Sequence, residues 1–132
     1  MVIKKEDNVN ITQRKYLKII KGSIIALILT IIMLTIYAAL LANTNISENT
    51  MLPVLIGITG VSILIGSAII STNIKKNGII NGALVGLIYI LSLYILSSIL
   101  TGIFILNINS IILIIVCILT GMIGGIVGVN MK

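Results

Sequence analysis

The sequence predicts an all-α polytopic membrane protein whose four transmembrane helices form two antiparallel hairpins. Three observations carry that expectation. Hydrophobic residues make up 58% of the chain and charged residues 9%, whereas soluble domains carry roughly 25% charged residues. The charges all stand outside four long apolar runs. Each run is long enough to cross a bilayer as a helix.

The first run, Gly22 to Ala42, holds 21 uncharged residues. As a helix it rises about 31 Å, which matches a hydrocarbon core of roughly 30 Å. Met51 to Thr72, Ile79 to Leu100 and the shorter Ile111 to Val129 repeat the pattern. The expected division is a basic cytoplasmic head over residues 1–21 and a four-helix domain over 22–132, with spans near 22–42, 51–72, 79–100 and 111–129. Backbone groups in hydrocarbon must bond internally, and the runs lack the alternation of a membrane barrel, so helices are the remaining solution. The abundant isoleucine favours strands in water, but run length overrules that preference.

Short connections between the runs predict hairpins of adjacent helices. Thr50 is a candidate cap for the second span, with Pro53 in the first turn, where its missing N–H costs least. Asn77 is the corresponding candidate before the third span, and Asn109 or Ser110 before the fourth.

The basic residues fix an expected orientation. Lys4, Lys5, Arg14, Lys15, Lys18 and Lys21 lie in the head, Lys75 and Lys76 follow the second span, and Lys132 ends the chain. Four spans put all of these on one side, while the loops Asn43 to Thr50 and Thr101 to Asn109 contain no Lys or Arg. The positive-inside rule then places both termini in the cytoplasm. A cleaved signal peptide over Lys21 to Ala42 is the competing reading, but the apolar stretch exceeds the usual 7–15 residues. Topology also explains the net charge of +6, so no nucleic-acid partner is expected. Arg14, Lys18 and Lys21 stand at helical spacing beside Leu17 and Ile20, which suggests that residues 11–21 form an interfacial helix running into the first span. Arg14, Lys15, Lys18, Lys21, Lys75 and Lys76 are the candidates for contact with anionic headgroups.

Glycines are the informative residues inside the spans. Gly78, Gly82 and Gly86 recur every fourth residue in the third span, and Gly121, Gly124, Gly125 and Gly128 close the fourth. The second span adds Gly57, Gly60, Ser62, Gly66 and Ser67. Lipid tails are as apolar as leucine, so helices associate by close packing and interhelical hydrogen bonds, which small residues permit. Gly66, Gly78, Gly82, Gly86, Gly121, Gly124, Gly125 and Gly128 are therefore the helix-packing candidates, within one chain or between copies. Asn81 shares a stripe with Val85, Tyr89 and Ser92 and is the candidate for an interhelical hydrogen bond. Thr30, Thr35 and Thr59 are expected to bond carbonyls of their own helices. Tyr37 and Tyr94 fit the outer interface. Cys117 is the single cysteine and reads as a small buried hydrophobe. Asn45-Ile46-Ser47 matches a glycosylation sequon of low specificity.

Residues 21–28 and 81–88 echo one another weakly, KGSIIALI against NGALVGLI. If the echo is a repeat, it relates hairpins of the same orientation, not the inverted halves of many transporters.

Chemistry-bearing groups are absent from the spans. The chain has no His, and Glu6, Asp7 and Glu48 all lie outside the apolar runs. Intramembrane acids and bases persist where function needs them, so proton-coupled transport, metal chemistry and catalysis are not expected. No serine in a span has an activating base. No cofactor is expected. Small four-helix multidrug exporters share the length and span count, but this chain has only Thr30 and Thr35 where they need an acid in the first span.

Four phrases carry a closer resemblance: KGSIIALILT opening the first span, ISENTMLPVL at the second, NGIINGALVGLIY in the third and GMIGGIVGVNMK at the end. From Lys21 to Lys132 the chain resembles the YrzE-like proteins, an uncharacterised family of small four-span bacterial membrane proteins. The resemblance implies a bacterial cytoplasmic membrane location and brings no activity or site residues. The functional expectation is a non-enzymatic helix-packing or membrane-complex component that contacts the lipid bilayer and either its own copies or a larger membrane protein. The alternative is an oligomeric transporter or channel for a neutral or lipid-like solute, with Asn81 and nearby hydroxyls lining the route.

Overall fold

The computed structural model describes residues 2–131, with side-chain surroundings from Lys4 onward. Met1 and Lys132, the last of the basic residues used to orient the chain, lie outside the described residues. Four α-helices follow one another in this range: α1 Val2–Asn43, α2 Met51–Ile74, α3 Gly78–Thr101 and α4 Ile108–Asn130. All four are long and apolar enough to cross a membrane. The chain is thus an all-α, multi-pass membrane protein.

The largest departure from expectation is α1. Its 42 residues rise about 63 Å, twice the hydrocarbon thickness. The helix crosses residue 21 without interruption, so residues 11–21 run into the first span as part of one continuous rod. Lys21 marks a change of solvent, which alters side-chain composition but breaks no backbone hydrogen bond.

The helix ends also correct the expected caps. Thr50, Asn77 and the residue before α4 make no side-chain capping bond. Instead, a single 3-10 turn, Glu48–Thr50, leads into α2, and the Thr50 hydroxyl donates back to the Ser47 carbonyl at 2.8 Å. Helix α4 starts after Asn107 rather than at Asn109 or Ser110, and the Ser110 N–H donates to the Asn107 carbonyl at 2.9 Å. At these ends backbone turns satisfy the donors that side chains were expected to satisfy.

The α2–α3 connection is three residues long, and two of them are left-handed: Lys75 at φ 57° and Asn77 at φ 52°. The Lys75 N–H closes α2 on the Ser71 carbonyl at 3.0 Å. Gly102 ends α3 in the same conformation at φ 67°, where the missing Cβ removes the steric penalty.

The chain runs up and down, so α1 and α3 are parallel, as are α2 and α4. Helix α3 packs most extensively on α4, and the next largest interface joins the parallel pair α2 and α4. Sequence neighbours α2 and α3 touch less, and α1 leans on α2 and α3 without meeting α4. Burial divides the bundle across its width. Buried residues fall only within Ile19–Thr30 of α1, Ser62–Ser71 of α2, Gly78–Ile90 of α3 and Cys117–Gly128 of α4. These segments together form the half nearest the Lys75–Lys76 turn, here the basic half. In the far half no described residue is buried.

The left-handed Lys75 offers a direct check on the turn. A β-carbon there costs about 1 kcal/mol relative to glycine. Lys75→Gly should stabilise the fold by about that amount in denaturant titration from detergent micelles.

Candidate functional site

The apolar runs 22–42, 51–72, 79–100 and 111–129 carry no Asp, Glu, Lys, Arg or His, so the candidate site is the network of contacts that the small residues make. Its centre is the α3–α4 interface, where two glycine pairs interlock. A Cβ on Gly82 would collide with the Gly121 carbonyl, and one on Gly121 with the Gly82 carbonyl. Gly78 and Gly125 stand in the same reciprocal relation. Gly86 faces the carbonyl of Cys117, with the carbonyl carbon 3.0 Å from where a Cβ would stand. The obstructing atoms are backbone and cannot move aside as a flexible side chain would.

Helix α4 presents a second small-residue face to α2. A Cβ on Gly124 would stand 2.7 Å from the Leu64 carbonyl oxygen and also strike Ser67, and one on Gly128 would lie 2.8 Å from the Ala68 Cα. The Thr72 hydroxyl donates across this interface to the Gly128 carbonyl at 3.0 Å. Between α1 and α2, Gly66 faces the Gly22 carbonyl oxygen at 2.9 Å and the Ala26 Cβ at 2.8 Å, again measured from an added Cβ. The glycine candidates thus come together as three helix contacts, all in the basic half. By contrast, Gly57 has nothing within 4 Å of an added Cβ, and Gly60 has only the Thr120 methyl at 3.9 Å.

Polar contacts tie α1 to α3. The Thr30 hydroxyl and the Tyr89 hydroxyl lie 2.9 Å apart in the buried interior. Thr30 also donates to Ala26 of its own helix at 2.7 Å, so a second bond leaves Tyr89 as donor to Thr30. The Ser23 hydroxyl approaches both the Ile19 and Val85 carbonyls, at 3.2 and 3.3 Å. Around this layer Ala26, Ile63, Tyr89, Ile90 and Cys117 form the apolar core. Cys117 is free and buried.

Asn81 behaves differently from expectation. It is fully buried, but its amide donates to the Lys76 carbonyl at 2.7 Å and not to another helix. Its position in the first turn of α3 brings the side chain back over the α2–α3 connection, which it braces. The Asn81 Oδ1 and the Ser71 Oγ have no partner. Thr35 bonds the Ile31 carbonyl as expected, at 2.7 Å. Thr59 lines a contact between α2 and α4 beside Gly60, Ile63 and Cys117.

Gly22, Ser23 and the Thr30–Tyr89 pair were missed as contact residues. A signal was present: Gly22, Ala26 and Thr30 recur every fourth residue, the same small-residue spacing as in α3. The basic candidates Arg14, Lys18, Lys21, Lys75 and Lys76 are exposed, and Lys15 is half-buried. Among the described residues, no three His, Cys, Asp or Glu side chains gather as a metal site would require.

The far half holds clefts instead of close contacts. One of about 330 Å³ lies between Leu52 and Ile56 of α2 and Asn109, Ile112, Leu113 and Val116 of α4. Another of about 270 Å³ is lined by Tyr94, Ser97, Ile105, Ser110 and Leu113 among its neighbours. The Tyr94 and Phe104 rings, with centroids 5.7 Å apart, brace the mouth of the α3–α4 loop.

Fold and contacts define a class, an integral membrane bundle of four helices joined by small-residue packing. The chain belongs to the family described as "Protein of unknown function (DUF3792)", whose profile matches residues 15–128. No curated protein and no solved structure matches it.

Two substitutions separate the close contacts from the open ones. Gly82→Ala should destabilise the bundle by about 1–3 kcal/mol through overpacking, measured by unfolding in mixed micelles. Gly57→Ala meets open space and should be neutral or stabilising by up to about 1 kcal/mol. For the polar pair, a double-mutant cycle of Thr30→Val and Tyr89→Phe should return a coupling of about 0.6 kcal/mol, the average for such bonds in membranes.

Proposed function

We propose that this chain is a non-enzymatic component of membrane complexes, working through lateral contact with a larger membrane protein in the bilayer. The observation that carries the reading is the contrast between the two halves of the bundle. In the basic half the small-residue faces are used within the chain, so Gly82 and Gly86 are covered by α4 and offer no face to a second copy. In the far half, the α2–α4 cleft beside Leu52, Ile56 and Ile112 remains uncovered. The partner in this reading docks there, and a second copy of the chain is the other candidate for the same place.

The resemblance to YrzE-like proteins supports a bacterial cytoplasmic membrane as the location. The basic residues at one end support an orientation with both termini in the cytoplasm. The apolar runs carry no Asp, Glu, Lys, Arg or His, which supports a role without catalysis.

An oligomeric transporter or channel for a neutral or lipid-like solute is the second reading. The hydroxyl-bearing cleft at Tyr94, Ser97 and Ser110 favours it. Asn81 does not, because Lys76 engages its amide at the opposite end.

A photoreactive residue at Ile112 in native membranes tests the first reading, with the exposed Ile80 of the basic half as control. A discrete protein adduct from Ile112 alone is the expected result. Lipid adducts at both positions, together with solute flux in proteoliposomes, would favour the second reading; lipid adducts without flux would defeat both.

A further inference from the structure

The first turns of α1 are the least supported part of the molecule. Residues 4–14 are all exposed, and the first buried side chain is Ile19. Asn8, Val9, Asn10, Ile11 and Thr12 are mediocre helix formers, and an isolated helix of this length is marginal in water. Thr12 also donates to the Asn8 carbonyl at 2.8 Å, a back-bond that weakens and bends helices. Among the described residues, nothing in the bundle covers this segment.

Helical spacing sorts its side chains. Val9, Tyr16 and Ile20 fall along one line with Leu17 at its edge, and these four are 44–58% exposed. Lys5 borders that line, while Lys4, Arg14, Lys15, Lys18 and Lys21 lie on the opposite side. Ile11 is the exception, an apolar residue on the basic side. Six basic residues face only two acids, Glu6 and Asp7, across residues 4–21. The antiparallel course of α1 and α2 brings Lys75 and Lys76 to the same end of the bundle.

We propose that residues 4–18 are a membrane-surface anchor that folds down from α1 onto anionic lipid. In this state Val9, Tyr16 and Leu17 enter the boundary between headgroups and acyl chains. The long side chains of Lys5, Arg14, Lys15 and Lys21, joined by Lys75 and Lys76 of the α2–α3 turn, reach lipid phosphates. The charge complementarity selects an anionic partner, and the apolar line selects a bilayer over nucleic acid, which offers nothing for it to enter. Tether length agrees: Tyr16 precedes the first residue of the apolar run by six positions, about 9 Å along a helix. A bend N-terminal to the buried Ile19 leaves every contact of the bundle in place.

The test uses the full chain with Val9→Cys carrying an environment-sensitive fluorophore, on a Cys117→Ala background. It is reconstituted in phosphatidylcholine vesicles with and without phosphatidylglycerol. The expected result is a blue-shifted emission, quenched by brominated acyl chains, only when phosphatidylglycerol is present, and weakened by salt. Each neutralised charge should lower the docked-to-undocked ratio about fivefold, so Lys5→Gln, Arg14→Gln and Lys15→Gln together should lower it about a hundredfold. A probe that stays water-exposed in both lipids overturns the proposal. So does a probe that responds to a short single-stranded oligonucleotide in phosphatidylcholine vesicles but not to phosphatidylglycerol. The three substitutions lie in the exposed segment, and an unchanged unfolding midpoint will show that the bundle is intact.

Discussion

Backbone-to-backbone approach between α3 and α4 is the constraint on which the rest of the structure depends. Lipid offers no hydrophobic drive for helix association, so stability rests on dispersion and weak polar contacts at short range. Such contacts are lost within a fraction of an ångström. Two reciprocal glycine pairs, Gly82 with Gly121 and Gly78 with Gly125, bring carbonyls to positions where any β-carbon would collide. With α3 seated this closely, α4 turns its other small residues, Gly124 and Gly128, toward α2. The large interface between the parallel helices α2 and α4 follows.

Polar side chains act within this frame without extending it. Tyr89 and Thr30 join α3 to α1, and Thr72 joins α2 to α4. Each is a modest bond, but each fixes a rotation about a helix axis that dispersion alone leaves loosely defined. Asn81 serves the turn instead, where Lys75 and Asn77 hold left-handed backbone. Keeping lysine at such a position, where glycine is easier, places its charge beside that of Lys76 at the membrane border.

The two halves of the bundle differ because small residues are unevenly placed. In the basic half every helix contributes glycine, alanine or serine to a contact. The far half is lined by Ile, Leu and Val together with the hydroxyls of Ser97, Ser98 and Ser110, and Gly57 there has nothing within 4 Å of an added Cβ. Clefts between α2 and α4 and beside Tyr94 are the result. Exposed apolar side chains are normal against lipid, so it is the clefts that distinguish this half.

Four apolar helices of membrane-spanning length were legible in the sequence, since run length is a property along the chain. The candidate glycines were also legible as stripes, because helical spacing needs only the residue numbers. Their partners were not. Which glycine meets which carbonyl depends on the rotation and depth of two helices distant in sequence, and Gly22 acquires its meaning only beside Gly66. Asn81 illustrates the same limit: its stripe foretold burial, but local turn geometry chose Lys76 as its partner. The sequence by itself determined a four-helix membrane protein; tertiary structure alone decided that the helices meet closely in one half and leave clefts in the other, because packing depends on pairs of faces and not on single runs.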